Sequence, residues 1–167
     1  MNRIVHWVGM GTLFFALAGC NHPSATDGAS TNAAQEAKLP RPPATGDENT
    51  WGNYLAEQGK LHGKDVGMRP YIYVIPGGES IAADDRRRNE LDSIVHSIGP
   101  ILMPGGMLIL GGPDGKQTTG FIAEVAKQVK ADSLKGIVVL VVSESGQEAA
   151  VKESLKASGA AVRFVAM

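Results

Sequence analysis

The stretch "LILGGPDGKQTTGFIAEVAK", residues 108–127, predicts the unit from which the fold is built. A strongly apolar strand ends in a glycine-rich turn, and a helix begins just after that turn. Phe121, Ile122 and Val125 then recur at the spacing of one helix face. A strand that leads directly into an amphipathic helix is typical of a parallel sheet covered by helices.

The same alternation extends through the second half of the chain. Short apolar runs occur at "YIYVIP" (71–76), "MLILGG" (107–112), "GIVVLVVS" (136–143) and "AVRFVAM" (161–167). Longer amphipathic segments separate them. The pattern predicts an α/β fold, a small three-layer sandwich with a four-stranded, mostly parallel sheet of the flavodoxin-like or Rossmann-like kind.

The position of each strand follows from its polarity. The run 136–143 is the most apolar and should be central, whereas Arg163 in the last run places that strand at an edge. We expect the strand order 2-1-3-4. An additional helix, roughly Trp51 to Leu61, should precede the first strand and cap an otherwise open face of the sheet.

The glycine-rich turn invites comparison with a nucleotide-binding loop. The Walker pattern places Leu110 where its first glycine belongs and Gln117 where its hydroxyl residue belongs. Asp114, three residues before Gln117, instead resembles a helix cap. We therefore predict that the loop turns the chain and binds no nucleotide. An alternative is that Lys116 and the free amides of the helix start bind a carboxylate or phosphate.

The first twenty residues, "MNRIVHWVGMGTLFFALAGC", have the character of an export signal. One cation precedes an apolar run that ends in small residues. The last four residues resemble the lipobox of bacterial lipoproteins, and the resemblance covers residues 1–20 only. It implies cleavage of a signal peptide, residues 1–19, and a lipid anchor on Cys20. Asn21 implies the outer membrane, facing the periplasm. The alternative is an ordinary secretory signal with an incidental cysteine.

The segment that follows is small and polar. Residues 20–49 contain prolines, alanines and serines but almost no large apolar side chain, which predicts a flexible tether. Residues 50–167 remain as one α/β domain. Cys20 is the only cysteine, so a disulfide and a thiolate metal cluster are excluded. We expect neither a metal nor a cofactor.

The charge balance argues against general binding to polyanions. Loss of Arg3 with the signal changes the formal net charge from −1 to −2, so binding to nucleic acid or broadly to anionic lipid has no electrostatic basis. Arg86, Arg87 and Arg88 form the one local basic run. They are either a docking patch for an acidic partner or for phosphorylated lipid head groups, or a solvated helix face in which Asp84 pairs with Arg88.

The ends of the three internal strands supply the candidate ligand-binding residues. In a parallel sheet these ends meet at the carboxyl edge, where ligands of such folds usually bind. The candidates are Gly77, Gly78, Glu79, Asp114, Lys116, Ser143 and Ser145. Ser145 and Glu148 also fit a second capping box, which is a purely structural alternative.

Two functions follow from these residues. The favoured hypothesis is a lipid-anchored cell-envelope protein, a non-enzymatic binding or accessory module for a protein partner or cell-wall component. The alternative is a small periplasmic hydrolase or transferase in which Glu79 or Asp114 acts as acid or base at the carboxyl edge. The chain contains no Gly-x-Ser-x-Gly elbow and no His-Glu-x-x-His helix, and we predict no catalytic residues.

Overall fold

Four parallel strands alternate with helices in the computed structural model, which describes residues 39–167. The predicted signal peptide, Cys20 and the predicted tether up to residue 38 lie outside the described residues. The elements are α1 (Glu48–His62), β1 (Tyr71–Val74), α2 (Ile81–Ser97), β2 (Met107–Gly111), α3 (Gly115–Gln128), β3 (Val138–Ser143), α4 (Glu148–Leu155) and β4 (Ala161–Ala166). No helix within the described range is long and apolar enough to cross a membrane.

The sheet has the order β1-β2-β3-β4, and every neighbouring pair is parallel. The α/β class, the four strands, the central β3 and the edge strand β4 are confirmed. The predicted order 2-1-3-4 is wrong, because each connection moves to the next strand in the same direction. The polarity of a strand does not show on which side of it the next strand is added, because the same apolar residues are buried on either side.

The constant direction places the three connecting helices on one face of the sheet. Ile94 of α2, Phe121 of α3 and Val151 of α4 share one buried cluster with alternate side chains of β2 and β3. The remaining side chains of those strands, among them Ile109 and Leu140, face the opposite side. Right-handed crossovers explain this arrangement, because they return each helix to the same face.

Helix α1 covers the second face, as predicted. Asp47 caps its start by accepting a hydrogen bond of 2.7 Å from the Thr50 amide, and this bond lowers the pKa of the Asp47 carboxyl. Trp51 and Leu55 are buried against β2 and β3. A side chain at Gly59 would meet Ile109 at 2.5 Å, so the glycine lets the helix approach the sheet closely.

Arg163 ties the edge strand β4 to the segment that follows α1. Its guanidinium donates two hydrogen bonds, of 2.7 and 2.6 Å, to the carboxylate of Asp65 and another to the carbonyl of His62. This bidentate pair lowers the pKa of Asp65 to about 2. The polar residue that marks the edge strand in the sequence therefore has a structural partner.

The glycines of the β2–α3 turn are required by close packing. A Cβ at Gly112 would lie 2.1 Å from the Ile75 carbonyl oxygen, and one at Gly111 would lie 2.7 Å from Leu55. Both distances are shorter than real contacts allow. The two glycines thus let the end of β2 pass between its neighbours, which supports the prediction that the loop turns the chain.

Replacement of Gly112 by alanine tests this packing. Gly112→Ala should lower the free energy of unfolding by roughly 3 kcal/mol, because the backbone of Ile75 cannot move away without disturbing β1. Gly120→Ala is the matched control, because Gly120 is an exposed position of α3 with open space around it. This substitution should raise the free energy of unfolding by about 0.5–1 kcal/mol. Chemical denaturation measures both. Equal effects of the two substitutions would contradict the close-packing explanation.

Candidate functional site

A cleft of about 570 Å³ opens at the carboxyl edge of the sheet. Residues 74–78, which include the end of β1 and the loop after it, form one wall, and the β2–α3 turn forms another. Glu48 and Trp51, in the first turn of α1, close the side that belongs to the second face of the sheet. The cleft therefore lies where the sequence predicts a ligand site for a parallel sheet.

The last wall is a strap, residues 39–47, which lies directly before α1. Arg41 donates a hydrogen bond of 2.9 Å to the Pro113 carbonyl, and its guanidinium lies 6.0 Å from the centre of the Trp51 ring. The Trp51 indole in turn donates to the Pro43 carbonyl at 3.2 Å. The sequence assigned these residues to the tether, whereas the structure shows that they contact the folded part.

The charged side chains of the cleft are mostly paired with each other. Arg86 of α2 donates to Glu48 of α1 at 2.7 Å, and Arg41 of the strap lies 3.8 Å from Glu144 of the β3–α4 loop. Lys116 lines the cleft, is exposed and makes no ion pair with any residue from 39 to 167. The ammonium of Lys116 is thus available to an incoming ligand.

Asp114 also lines the cleft, but its carboxylate is already bound. One of its oxygens accepts hydrogen bonds of 2.9 and 3.0 Å from the amides of Lys116 and Gln117. The predicted helix cap is therefore confirmed. The second predicted capping box is wrong, because Ser145 begins a short 3-10 turn and α4 starts only at Glu148 without a side-chain cap.

The structure does not bring all the predicted residues to the cleft. Gly77, Gly78, Asp114, Lys116 and Arg86 line it, and Glu79, Ser143 and Ser145 do not. Glu79 and Ser145 are exposed in their loops. Ser143 is fully buried, and its hydroxyl has no hydrogen-bond partner among the described residues. The proposed acid–base pair of Glu79 and Asp114 therefore does not share this cavity.

The three arginines of the basic run lie in different environments. Arg86 lies in the cleft, whereas Arg87 is largely buried and donates to the Pro76 carbonyl at 2.6 Å and to Asp84. Arg88 is exposed and pairs with Asp85 at 3.1 Å. The predicted pairing of Asp84 with Arg88 is wrong, since each acid pairs with the arginine three residues later. The arginines do not form one continuous patch.

The cleft can contact a ligand through both charged and apolar groups. Its lining combines guanidinium, ammonium and carboxylate groups with the apolar surfaces of Trp51, Ile75 and two prolines. No serine, threonine, cysteine or histidine belongs to the lining among the described residues. A ligand that carries both a negative and a positive or amide group would find partners for each, whereas a nucleophile from the described lining would have to be a carboxylate or the Lys116 amine.

Sequence reasoning missed half of the cleft. Among the lining residues, Glu48, Trp51 and Glu144 were not candidates, and two of them precede the first strand. Arg41, which lies 3.8 Å from Glu144, was assigned to the tether. One signal was available: Asp47, followed by Thr50 and Trp51, has the spacing of a helix cap before an apolar position. That spacing predicts a helix that starts at residue 48, but not the strap that folds over the edge.

Comparison with known proteins adds no further evidence on the site. The chain matches no protein-family model, no curated protein and no solved structure. Its own geometry is therefore the basis for the functional conclusion.

Substitution of Asp114 tests its role as the helix cap of α3. Asp114→Ala should lower the free energy of unfolding by about 1 kcal/mol, because the first amides of α3 lose their acceptor. Asp114→Ser should retain most of the stability, since a serine hydroxyl caps a helix equally well. Thermal unfolding of both variants measures the effect. Unchanged stability of the alanine variant would show that the cap contributes nothing.

Proposed function

We propose that this protein is a lipid-anchored cell-envelope module that binds a protein partner or cell-wall component without chemical conversion, and that the carboxyl-edge cleft is its binding site. The observation that carries the proposal is the composition of the cleft. Its cations and carboxylates line a cavity of ligand size, and its described lining contains no serine, threonine, cysteine or histidine.

The charges of the cleft suggest the class of ligand. Arg86 and Glu48 neutralise each other, and one oxygen of Asp114 accepts from helix amides, so Lys116 is the cation of the cleft lining that has no carboxylate partner within residues 39–167. A carboxylate of the ligand would pair with it, while Glu144 faces an amine or amide of the same ligand. Peptides, including those of the cell wall, carry both groups.

The membrane location rests on the N-terminal sequence. The residues "LAGC", 17–20, resemble the lipobox, which implies that Cys20 becomes a lipidated N-terminus. Asn21 supports retention at the outer membrane, with the domain in the periplasm. A short cavity-bearing domain on such an anchor is suited to an accessory role, in which one component is held close to the membrane.

Metabolic labelling tests the anchor. Cells fed a palmitate analogue should incorporate the label into the protein, and Cys20→Ala should abolish it, because the thioether and the acylated amine both belong to that residue. Asn21→Ala, the neighbouring control, should keep the label, and mass spectrometry of the N-terminal peptide would identify the modified residue. Label that persists in Cys20→Ala would contradict the proposal.

Photo-cross-linking in cells tests the cleft. A photoreactive amino acid in place of Glu79, beside the lining residue Gly78, should capture a cell-wall peptide or one dominant envelope protein. Lys116→Glu in the same chain should lower the yield about tenfold, because the ligand loses a charge-assisted hydrogen bond. Mass spectrometry of the adducts identifies what is captured.

Lys152→Glu is the matched control for that experiment. Lys152 lies on α4, outside the cleft, and pairs only with Glu148, so its reversal changes the net charge equally without touching the lining. The adduct should persist in this variant. An adduct that responds to both reversals alike, or to neither, would show that the cleft is not the binding site.

A further inference from the structure

The edge of the sheet opposite the cleft is formed by a different set of segments. It consists of the segments that lead into the strands, residues 63–70, 98–106, 129–137 and 156–160. All of them lie at the amino edge, because the four strands are parallel. The elements that build the cleft lie at the other end of the same strands.

Cations without carboxylate partners concentrate at the amino edge. Lys64, Arg69, Lys130 and Lys135 are exposed in these segments, and none forms an ion pair with another described residue. The other lysines and arginines of residues 39–167, apart from Lys116 in the cleft, are paired with carboxylates. Four of the five unpaired cations within residues 39–167 therefore lie at the amino edge.

Few carboxylates oppose this charge. Within the first three segments the acids are Asp65 and Asp132, and Asp65 is held by Arg163. In the fourth segment, Lys156 lies 3.7 Å from Glu153 of α4. The distribution suits the helix dipoles, because the carboxyl ends of all four helices point toward the amino edge and attract cations.

Exposed apolar side chains lie among these cations. Ile101 and Met103 are 46% and 45% exposed, within a glycine- and proline-containing segment. Gly105 of this segment lies near Met68, the neighbour of Arg69, and donates a 2.7 Å hydrogen bond to the carbonyl of Gly136, the neighbour of Lys135. Ile101 and Met103 thus belong to a segment that connects two of the unpaired cations.

We propose that the amino edge docks on an anionic phospholipid surface. Ile101 and Met103 would enter the interface between headgroups and acyl chains, while Arg69, Lys135 and the neighbouring lysines contact the lipid phosphates. A membrane surface accepts isolated apolar side chains and scattered cations without a shaped pocket. A nucleic-acid strand would use the cations but would leave Ile101 and Met103 in water.

Net charge does not exclude this surface. The chain without residues 1–19 is slightly acidic, but within residues 39–167 several acids lie at the carboxyl edge, as Glu79 and Glu144 do, or are paired on helix faces, as Glu57 and Glu124 are. A charge at the far edge acts weakly on the membrane, because salt screens it within about 8–10 Å. The proposal depends neither on lipid at Cys20 nor on the function of the cleft.

Lipid photo-cross-linking tests the orientation directly. The full chain, with a photoreactive amino acid in place of Met103, is mixed with vesicles of phosphatidylglycerol and phosphatidylethanolamine, or with vesicles of phosphatidylcholine alone. The same probe in place of Glu79, at the opposite edge, is the positional control. Lipid adducts at 103 should exceed those at 79 about tenfold on the anionic vesicles, and the excess should disappear on phosphatidylcholine.

Charge reversal provides the second half of the experiment. Arg69→Glu with Lys135→Glu should lower the adduct yield at 103 at least about 25-fold, because the loss of each cation alone weakens binding to an anionic surface about fivefold and the added carboxylates are repelled. Arg88→Glu with Lys152→Glu, away from the amino edge, changes the net charge equally and should leave the yield unchanged. Circular dichroism confirms that each variant is folded.

Three results would overturn the proposal. They are equal yields at positions 103 and 79, equal yields on both kinds of vesicle, and a yield that the reversal at Arg69 and Lys135 does not change. If the double variant fails to fold, Ile101→Ser replaces it. This substitution removes an exposed apolar side chain without changing the net charge, and it should lower the yield at 103 several-fold.

Discussion

The packing of α1 against the sheet is the constraint on which the rest of the structure depends. The strands follow one another in a single direction, so α2, α3 and α4 all cover the same face. Without α1, the second face of β2 and β3 would remain exposed to water. Trp51 and Leu55 bury that face, and Gly59 allows the helix to approach it closely. The hydrophobic effect thus requires a helix that is not part of the alternating pattern.

The cleft is a consequence of this packing. Because α1 runs antiparallel to the strands, its first turn lies beside the carboxyl ends of β1 and β2. The strap that precedes α1 therefore crosses the same edge of the sheet. Arg41 joins the strap to the Pro113 carbonyl and stacks against Trp51. The residues that complete the second face of the core therefore also supply one side of the candidate site.

The same helix arrangement gives the domain two unlike edges. All four helices begin at the carboxyl edge and end at the amino edge, so acids that suit helix starts and cations that suit helix ends are separated. The cleft lies at one edge with mostly paired charges and the unpaired Lys116, and the other four unpaired cations of the described residues lie at the amino edge with Ile101 and Met103. If the amino edge rests on a membrane, the cleft opens into the aqueous space.

Much of the candidate site followed from local sequence, and the missing parts have a common physical cause. The cap at Asp114 is a short-range feature, because the amides that it binds belong to Lys116 and Gln117. The pairing of Arg86 with Glu48 joins residues 38 positions apart. Such a contact depends on the relative positions of α1 and α2, which the helical periodicity of the sequence does not predict.

By itself, the sequence determined the number and type of the elements, the central and edge strands, and the need to cover an open face. Apolar periodicity and capping residues act over one or two turns of chain, so the sequence displays them directly. Only the tertiary structure decided the strand order, the course of the strap and the partners of Arg86 and Arg87. Those depend on which surfaces meet after the chain has folded, and many arrangements bury the same apolar side chains equally well.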